Sequence, residues 1–332
     1  MDLDLAQVRA FVATAEARHF GHAATDLGLT QQALSKRIAR LEALLGTRLL
    51  ERGHGSVEPT PAGERFLAPA RRALAAADAA ISAVRDEAGP LRVDLWGHLY
   101  DPSRTLSDVI NAPHSHELPP GRPDRSLPAI ELGRARDLPA VASALLRGEI
   151  DAGFGRVHRS ALPPAGGLTH RIVRLEPMDA LLSDRHPLAR TEQLRPGDLR
   201  DSRLLFPAAA DRLDFLSRFA EAFEIRDRIE AVNLGAGRLL ADLRDTPDAF
   251  TLFPADARLP DVPGIRSVPL VDPVPLYAWS VIWNEAAGHP RLPDLLQALT
   301  AKARTRRWLE YNPCADWLPT EDTTTYTAPP LT

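Results

Sequence analysis

The chain has 332 residues and a formal net charge of −4, so it can hold more than one packed core and is not a polycation binding nucleic acid over its whole surface. A single cysteine, Cys314, excludes an intramolecular disulfide, and no apolar run is long enough to span a bilayer. No apolar segment follows a basic start, so the expected location is the cytoplasm.

The first informative stretch is Gly21 to Arg52. Ala23, Ala24 and Leu27 give a short helix a small inner face, and Gly28 suits its left-handed end because it has no Cβ to clash. Leu29 plugs the space before the next helix, which Thr30 caps by accepting from a free backbone amide. Leu34, Ile38, Leu41 and Leu45 then form one aliphatic stripe, and Gly46 ends the helix. Gln31, Gln32, Ser35, Lys36 and Arg40 lie on the other side. Gln can read adenine and Lys or Arg can read guanine, so this face suits a DNA major groove. Many surface helices look the same, so the stripe alone leaves an ordinary amphipathic pair open.

Leu49 to Gly63 reads as strand, glycine-rich turn, strand and helix start, which is a wing. Arg48, Arg52 and His54 supply it with charge for phosphates or the minor groove. Residues 30–56 carry a local charge of +3 inside an acidic chain. The expected DNA-contact set is therefore Thr30, Gln31, Gln32, Ser35, Lys36, Arg37, Arg40, Arg48, Arg52 and His54.

From Ala62 to about Glu87 the chain is rich in helix formers. Leu67, Ala70, Leu74, Ala77, Ile81 and Val84 alternate spacings of three and four, a seam able to pack on a partner helix, with Pro69 expected to bend its first turns. A single packed helix of the next domain is the alternative. Gly89-Pro90 marks a boundary. Beyond it strands and helices alternate: strand 91–95, helix 101–110, strand 129–132, helix 138–147 and strand 150–154. Further strands fall within 169–182, then helix 212–223, helix 238–243, strand 250–253, strand 277–283 and helix 292–307. Such alternation implies mainly parallel sheets faced by helices. The Pro- and His-rich loop 111–128 is long enough to be functional or mobile. The polar residues after Pro313 read as disordered.

Residues from about Leu5 to Gly63 resemble the winged helix of LysR-type transcriptional regulators. The resemblance rests on Val8-Arg9-Ala10-Phe11-Val12, Phe20, Ala23-Ala24, Leu27, Thr30 to Ser35, Ile38, Leu41-Glu42, Leu45-Gly46, Leu49, Glu51-Arg52 and Thr60-Pro61-Ala62-Gly63. Leu146 to Asp151, His186-Pro-Leu-Ala189 and Asp198-Leu199 extend it, less specifically, into the second half. Two departures stand out. Gln32 replaces a usual Pro or Ser, and His19 and Gly21 replace hydroxyl residues at the second helix, which points to a weaker N-cap. The resemblance implies an α/β chain with an all-α winged helix-turn-helix N-terminal domain and a two-lobed, periplasmic-binding-protein-like C-terminal domain. Its expected limits are 1–61 for DNA binding, 62–88 for a linker and dimerisation helix, 89–307 for effector binding, and 308–332 for a disordered tail. It further implies an inverted-repeat promoter site on double-stranded DNA, a homodimer or homotetramer, a small-molecule effector, and RNA polymerase as a partner.

Ligands of open α/β sheets bind beyond the carboxyl ends of strands. That rule selects Trp96, Gly97, His98, Arg134, Arg156, Phe206 and Asn233 as effector-binding candidates. Arg134 and Arg156 would hold a carboxylate and Trp96 would stack on a ring, giving an anionic, aromatic effector; solvated loop residues are the competing reading. His98, His114 and His116 lack metal-ligand spacing, and Leu234 to Arg238 lacks the lysine of a P-loop, so neither metal nor cofactor is expected. No Gly-x-Ser-x-Gly, His-Glu-x-x-His or Cys-His pairing appears, so an enzyme is not expected. Two alternatives stay open: a ligand-independent architectural DNA-binding oligomer, and an enzyme of periplasmic-binding fold with a fused DNA-binding domain.

Overall fold

The computed structural model describes residues 3–52, 57–85, 89–111, 127, 129–135, 137–158, 161–163, 167–209, 213–232, 235–257, 262–285 and 288–326. Three helices, α1 (Leu5–Ala17), α2 (Phe20–Asp26) and α3 (Gln31–Leu45), precede a two-stranded antiparallel hairpin of β1 (Leu50–Arg52) and β2 (Val57–Pro59). Val8, Phe11, Ala23, Leu34, Ile38, Leu41, Leu49 and Val57 close one core among them. Helix α4 (Pro61–Arg85) is continuous through Pro69.

The apolar seam of α4 is divided between two environments. Ala70 and Leu74 are buried in the N-terminal core and Leu67 packs against it, whereas Ile81 is 51% exposed. The expectation that the whole seam faces a partner helix is thus corrected. Its first half already covers α1, because the wing brings α4 back across the bundle. The side chain of Val84 lies outside the described residues.

The second half of the chain is a two-lobed α/β structure. Its strands are β3 (Leu91–Leu95), β4 (Ile130–Arg134), β5 (Ala152–Gly155), β6 (Leu168–Ser183), β7 (Arg203–Phe206), β8 (Arg228–Glu230), β9 (Ala249–Pro254), β10 (Ile265–Val268) and β11 (Val274–Asn284). They lie in the order β4-β3-β5-β11-β6-β9-β7-β8, with β10 on β6. Helices α5 (Ser103–Ile110), α6 (Leu138–Arg147) and α9 (Leu292–Arg306) belong with the first lobe, and α7 (Asp214–Ala222) and α8 (Ala236–Asp245) with the second. The long strand β6 serves both lobes. Its first half pairs antiparallel with β11, and its second half pairs with β9 and β10. Residues 169–182, expected to supply separate strands, are therefore one continuous strand, while β8 and β10 are too short and polar to show alternation.

A further correction concerns the expected disordered tail. Residues 308–326 form β12 (Asp316–Trp317), paired parallel with β11, and α10 (Thr320–Thr325). Leu318 is buried with Ile172, Leu175, Leu276 and Ala278, and Tyr326 donates its hydroxyl hydrogen to the Leu309 carbonyl. Polar composition concealed this, since a few apolar side chains suffice to anchor the segment. Apart from Asn111 and Leu127, the 111–128 loop lies outside the described residues.

Candidate DNA-reading helix and effector cleft

The DNA-reading face is built from the turn outward. Gly28 (φ 62°) closes α2, and the Leu29 amide returns to the Ala24 carbonyl at 2.8 Å. The Thr30 hydroxyl then accepts from the Ala33 amide at 3.2 Å and starts α3. The start of α2, where a weaker cap was expected, is capped by a histidine. His19 Nδ1 accepts from the amides of Gly21 (3.0 Å) and His22 (3.3 Å), so an imidazole does the work of the missing hydroxyl.

On α3, Leu34, Ile38 and Leu41 face inward. Gln31, Gln32, Lys36 and Arg40 are exposed, with Ser35 and Arg37 half-buried. Among the described residues Lys36, Arg37, Arg40 and Arg48 have no carboxylate partner, so their charge is free for an external anion. Glu42, one of the two acids within this basic stretch, is already engaged. Its carboxylate accepts from the amides of Leu49 (2.7 Å) and Leu50 (3.1 Å), fixing β1 to α3. The Thr60 hydroxyl donates to the Arg48 carbonyl (2.8 Å) and accepts from the Gly63 amide (3.0 Å). Gly63 itself lies against β1. A Cβ there would sit 3.0 Å from the Leu49 carbonyl carbon and closer still to its oxygen. The Thr60-Pro61-Ala62-Gly63 run thus holds the wing to α4. His54 and the side chain of Arg52 lie outside the described residues.

The cleft lies between the lobes, with a cavity of about 470 Å³. Of the effector candidates, Trp96, Gly97 and His98 line it. The Trp96 indole lies on Gly155, where a Cβ would meet its Cε3 at 2.8 Å, and Trp96 Nε1 donates to the Arg156 carbonyl at 3.1 Å. The other candidates need correction. Arg134 is exposed on β4 and does not line the cavity, because β4 is the edge strand. Phe206 is 0% exposed in the core, and the next two residues, Pro207 and Ala208, reach the cavity instead. Asn233 lies outside the described residues.

Arg156 does line the cavity, but not as a free cation. It is 4% exposed, and its Nη2 donates to Asp214 of α7 at 2.8 Å while Nη1 donates to Asp322 of α10. Burial opposes its charge, and Asp322 and Asp214 outweigh that and hold it protonated. Burial also pushes Asp322 upward, while Arg156 draws Asp214 down against its own burial. The anionic-effector expectation therefore loses both of its arginines. Residues missed in the sequence complete the wall: Tyr100, His158, Asp214, Phe215 and Tyr277. Asp214 and Phe215 open α7, and Tyr277 lies near the start of β11. Position at the ends of helices and of antiparallel strands is the signal that marks them, and a rule confined to the carboxyl ends of parallel strands does not reach them. Burial lowers the pKa of His158.

Behind the cavity a second ionic cluster joins the lobes. Glu176 of β6 accepts from Trp279 Nε1 at 2.5 Å and from Arg104 of α5 at 2.9 Å, and pairs with Arg174 at 2.8 Å. Asp256, which follows β9, pairs with the same two arginines at 2.7 and 2.5 Å. Burial pushes Glu176 up to about 7, while Arg104 and Arg174 help hold Asp256 below the usual carboxylate range. No group of His, Cys, Asp and Glu suited to a metal ion occurs among the described residues, and none of their helices is long and apolar enough to cross a membrane.

Comparison with known proteins places both halves. Residues 5–64 match the family described as bacterial regulatory helix-turn-helix protein, lysR family, and residues 134–304 match the LysR substrate binding domain. The chain is 34% identical over 210 residues to the uncharacterized HTH-type transcriptional regulator YnfL of Escherichia coli, covering 62% of this chain and 66% of that one. It is 31% identical over 315 residues to the HTH-type transcriptional regulator IlvR of Caulobacter vibrioides, covering 90% and 98%. Among solved structures, a full-length OxyR variant from Pseudomonas aeruginosa shares the fold, with a TM-score of 0.65 and 22% identity over 92% of this chain and 95% of that one. The chain belongs to the LysR family of helix-turn-helix transcriptional regulators.

Proposed function

We propose that this regulator reads an inverted-repeat promoter site through α3 and the wing, as a two-fold oligomer paired along the exposed part of α4. The carrying observation is the outer face of α3, where Gln31, Gln32 and Lys36 stand exposed beside cations with no internal partner among the described residues. Such a face has hydrogen-bonding groups for base edges and uncommitted charge for phosphates. Gln31, Gln32, Ser35 and Lys36 are assigned to bases. Thr30 holds the start of the helix, and Arg37, Arg40, Arg48, Arg52 and His54 are assigned to phosphates or the minor groove. The cleft holds a small effector that adjusts DNA binding, and RNA polymerase is the downstream partner in the cytoplasm. DNA fragments selected by the purified chain supply the probe. Lys36→Ala and Gln31→Ala should each weaken the selected site about 10-fold or more, one base contact being worth roughly 1–3 kcal/mol, with little change on random DNA. Unchanged affinity at physiological salt in both variants rejects the assignment.

A further inference from the structure

Asp322 performs an unusual task for a residue in a polar terminal segment. It is 3% exposed, and it reaches Arg156 across 166 residues of sequence. The segment carrying it is anchored on both sides of the cleft. β12 pairs with β11, whereas Trp317 packs edge-on against Phe219 and Phe223 and tilts against Phe215, all on or beside α7. Glu321 adds an ion pair to Arg218 of α7 at 3.3 Å. The segment therefore presents one carboxylate to the guanidinium in the cleft wall, and α7 presents the other.

We propose that Asp322 is an in-chain carboxylate filling the anion place on Arg156, so that the intact cleft turns carboxylates away and selects an uncharged, ring-bearing effector. This rests on the cleft being the effector site. Arg156 and Arg218 against Asp214, Asp322 and Glu321 make a cluster of net charge −1, and a third carboxylate on Arg156 in this water-poor wall meets repulsion instead of a free cation. Trp96, Tyr100, Phe215 and Tyr277 supply aromatic wall for a ring. The native cluster also shows that Arg156 sustains two carboxylates. Once Asp322 is removed, the second place is open to a carboxylate from solution.

Sodium benzoate is the probe, titrated against the full chain and Asp322→Ala while thermal unfolding is followed. The wild-type chain should show no saturable shift. Asp322→Ala should bind benzoate on the order of a hundredfold more tightly than wild type, the effect of one charge removed at a guanidinium's span. Tm should then rise by several degrees at concentrations far above Kd. Benzamide serves as the neutral control and should not discriminate between the two chains by charge. If Asp322→Ala fails to fold, Asp322→Asn keeps the shape and removes the charge. Equal benzoate responses in wild type and variant, including none in either, overturn the proposal. DNA affinity measured with and without probe separates the two readings. If the cleft is not the effector site, benzoate still binds Asp322→Ala but leaves its DNA affinity unchanged.

Discussion

Replacing Gly63 by alanine tests whether the wing is held in place by a close backbone approach. The new Cβ would lie 3.0 Å from the Leu49 carbonyl carbon, nearer still to its oxygen, and 3.3 Å from Pro59 Cβ. These are backbone and ring atoms, so no flexible side chain can swing away. Relief requires α4 and the hairpin to separate. Overpacking of this kind costs about 1–3 kcal/mol. The same carbonyl accepts from the Thr60 amide at 2.9 Å, and disturbing that bond adds about 1 kcal/mol. A loss of about 3 kcal/mol follows, which for a domain of this size lowers its Tm by roughly 10–20 °C. The chain itself supplies a way to localise the effect. All five tryptophans, Trp96, Trp279, Trp283, Trp308 and Trp317, lie beyond the winged helix. Tryptophan fluorescence during urea unfolding follows the effector lobes, far-UV circular dichroism follows the helices of both parts, and the change seen by dichroism but not by fluorescence is the first, N-terminal transition. Gly63→Ala should move the first transition to lower urea and leave the second in place. Gly197→Ala, where nothing lies within 4 Å of the added carbon, should move neither by more than about 0.5 kcal/mol. A Gly63→Ala chain whose first transition matches wild type would refute the reasoning.

Three further outcomes are expected. His19→Ala should destabilise the N-terminal domain by about 1 kcal/mol through loss of the α2 cap, and His19→Ser should recover most of it; equal losses in both would remove the capping role. Glu176, raised by burial to about 7, keeps a proton in the folded state that the unfolded chain releases above its ordinary value, so its contribution to stability falls as pH rises through that window, by up to about 3 kcal/mol. The stability of Glu176→Gln relative to wild type should therefore increase between pH 5 and 8, and a constant difference would contradict this. Leu74→Ala should cost about 2–4 kcal/mol even in dilute monomer, whereas Ile81→Ala should cost under about 0.5 kcal/mol there and weaken self-association in sedimentation; equal costs in dilute monomer would reject the division of the α4 seam.

The winged helix was legible because its determinants are local. The stripe Leu34, Ile38, Leu41, the Thr30 cap and the Gly28 turn all lie within one short stretch. Helix α6 was legible in the same way, from Asp137 to Gly148. Spacing could not show which surface the α4 seam covers, since Leu74 and Ile81 are equivalent by period and differ only in what the wing brings against them. The cleft was half legible. Trp96, Gly97 and His98 follow from strand polarity, but the neutralised state of Arg156 depends on partners 58 and 166 residues away. Arg134 and Arg156 look alike in sequence. One stands on an edge strand in water, and the other is sealed between two carboxylates.

The same geometry shows how cleft and DNA reader are joined within one chain. Helix α6 begins in the cleft, where Asp137, Leu138 and Pro139 form part of the wall and the Asp137 carboxylate caps it through the Ala140 amide at 3.0 Å. Just past its far end, Glu149 meets Arg71 of α4 at 3.5 Å, and Arg71 in turn holds Glu16 of α1 at 2.7 Å. Leu74, one turn further along α4, is buried in the core that α1 and α3 share. The link from α6 to α4 therefore runs through Gly148 and one ion pair at Arg71. There it meets a helix that cannot slide freely, because Ala70 and Leu74 are packed in the core under α3 and Gly63 is pressed on the wing. Close-packed cores transmit displacements instead of absorbing them. The division of the α4 seam is thus also a mechanical fact: the half of the helix nearest the wing is part of the DNA-reading domain, and the orientation of α3 is tied to it.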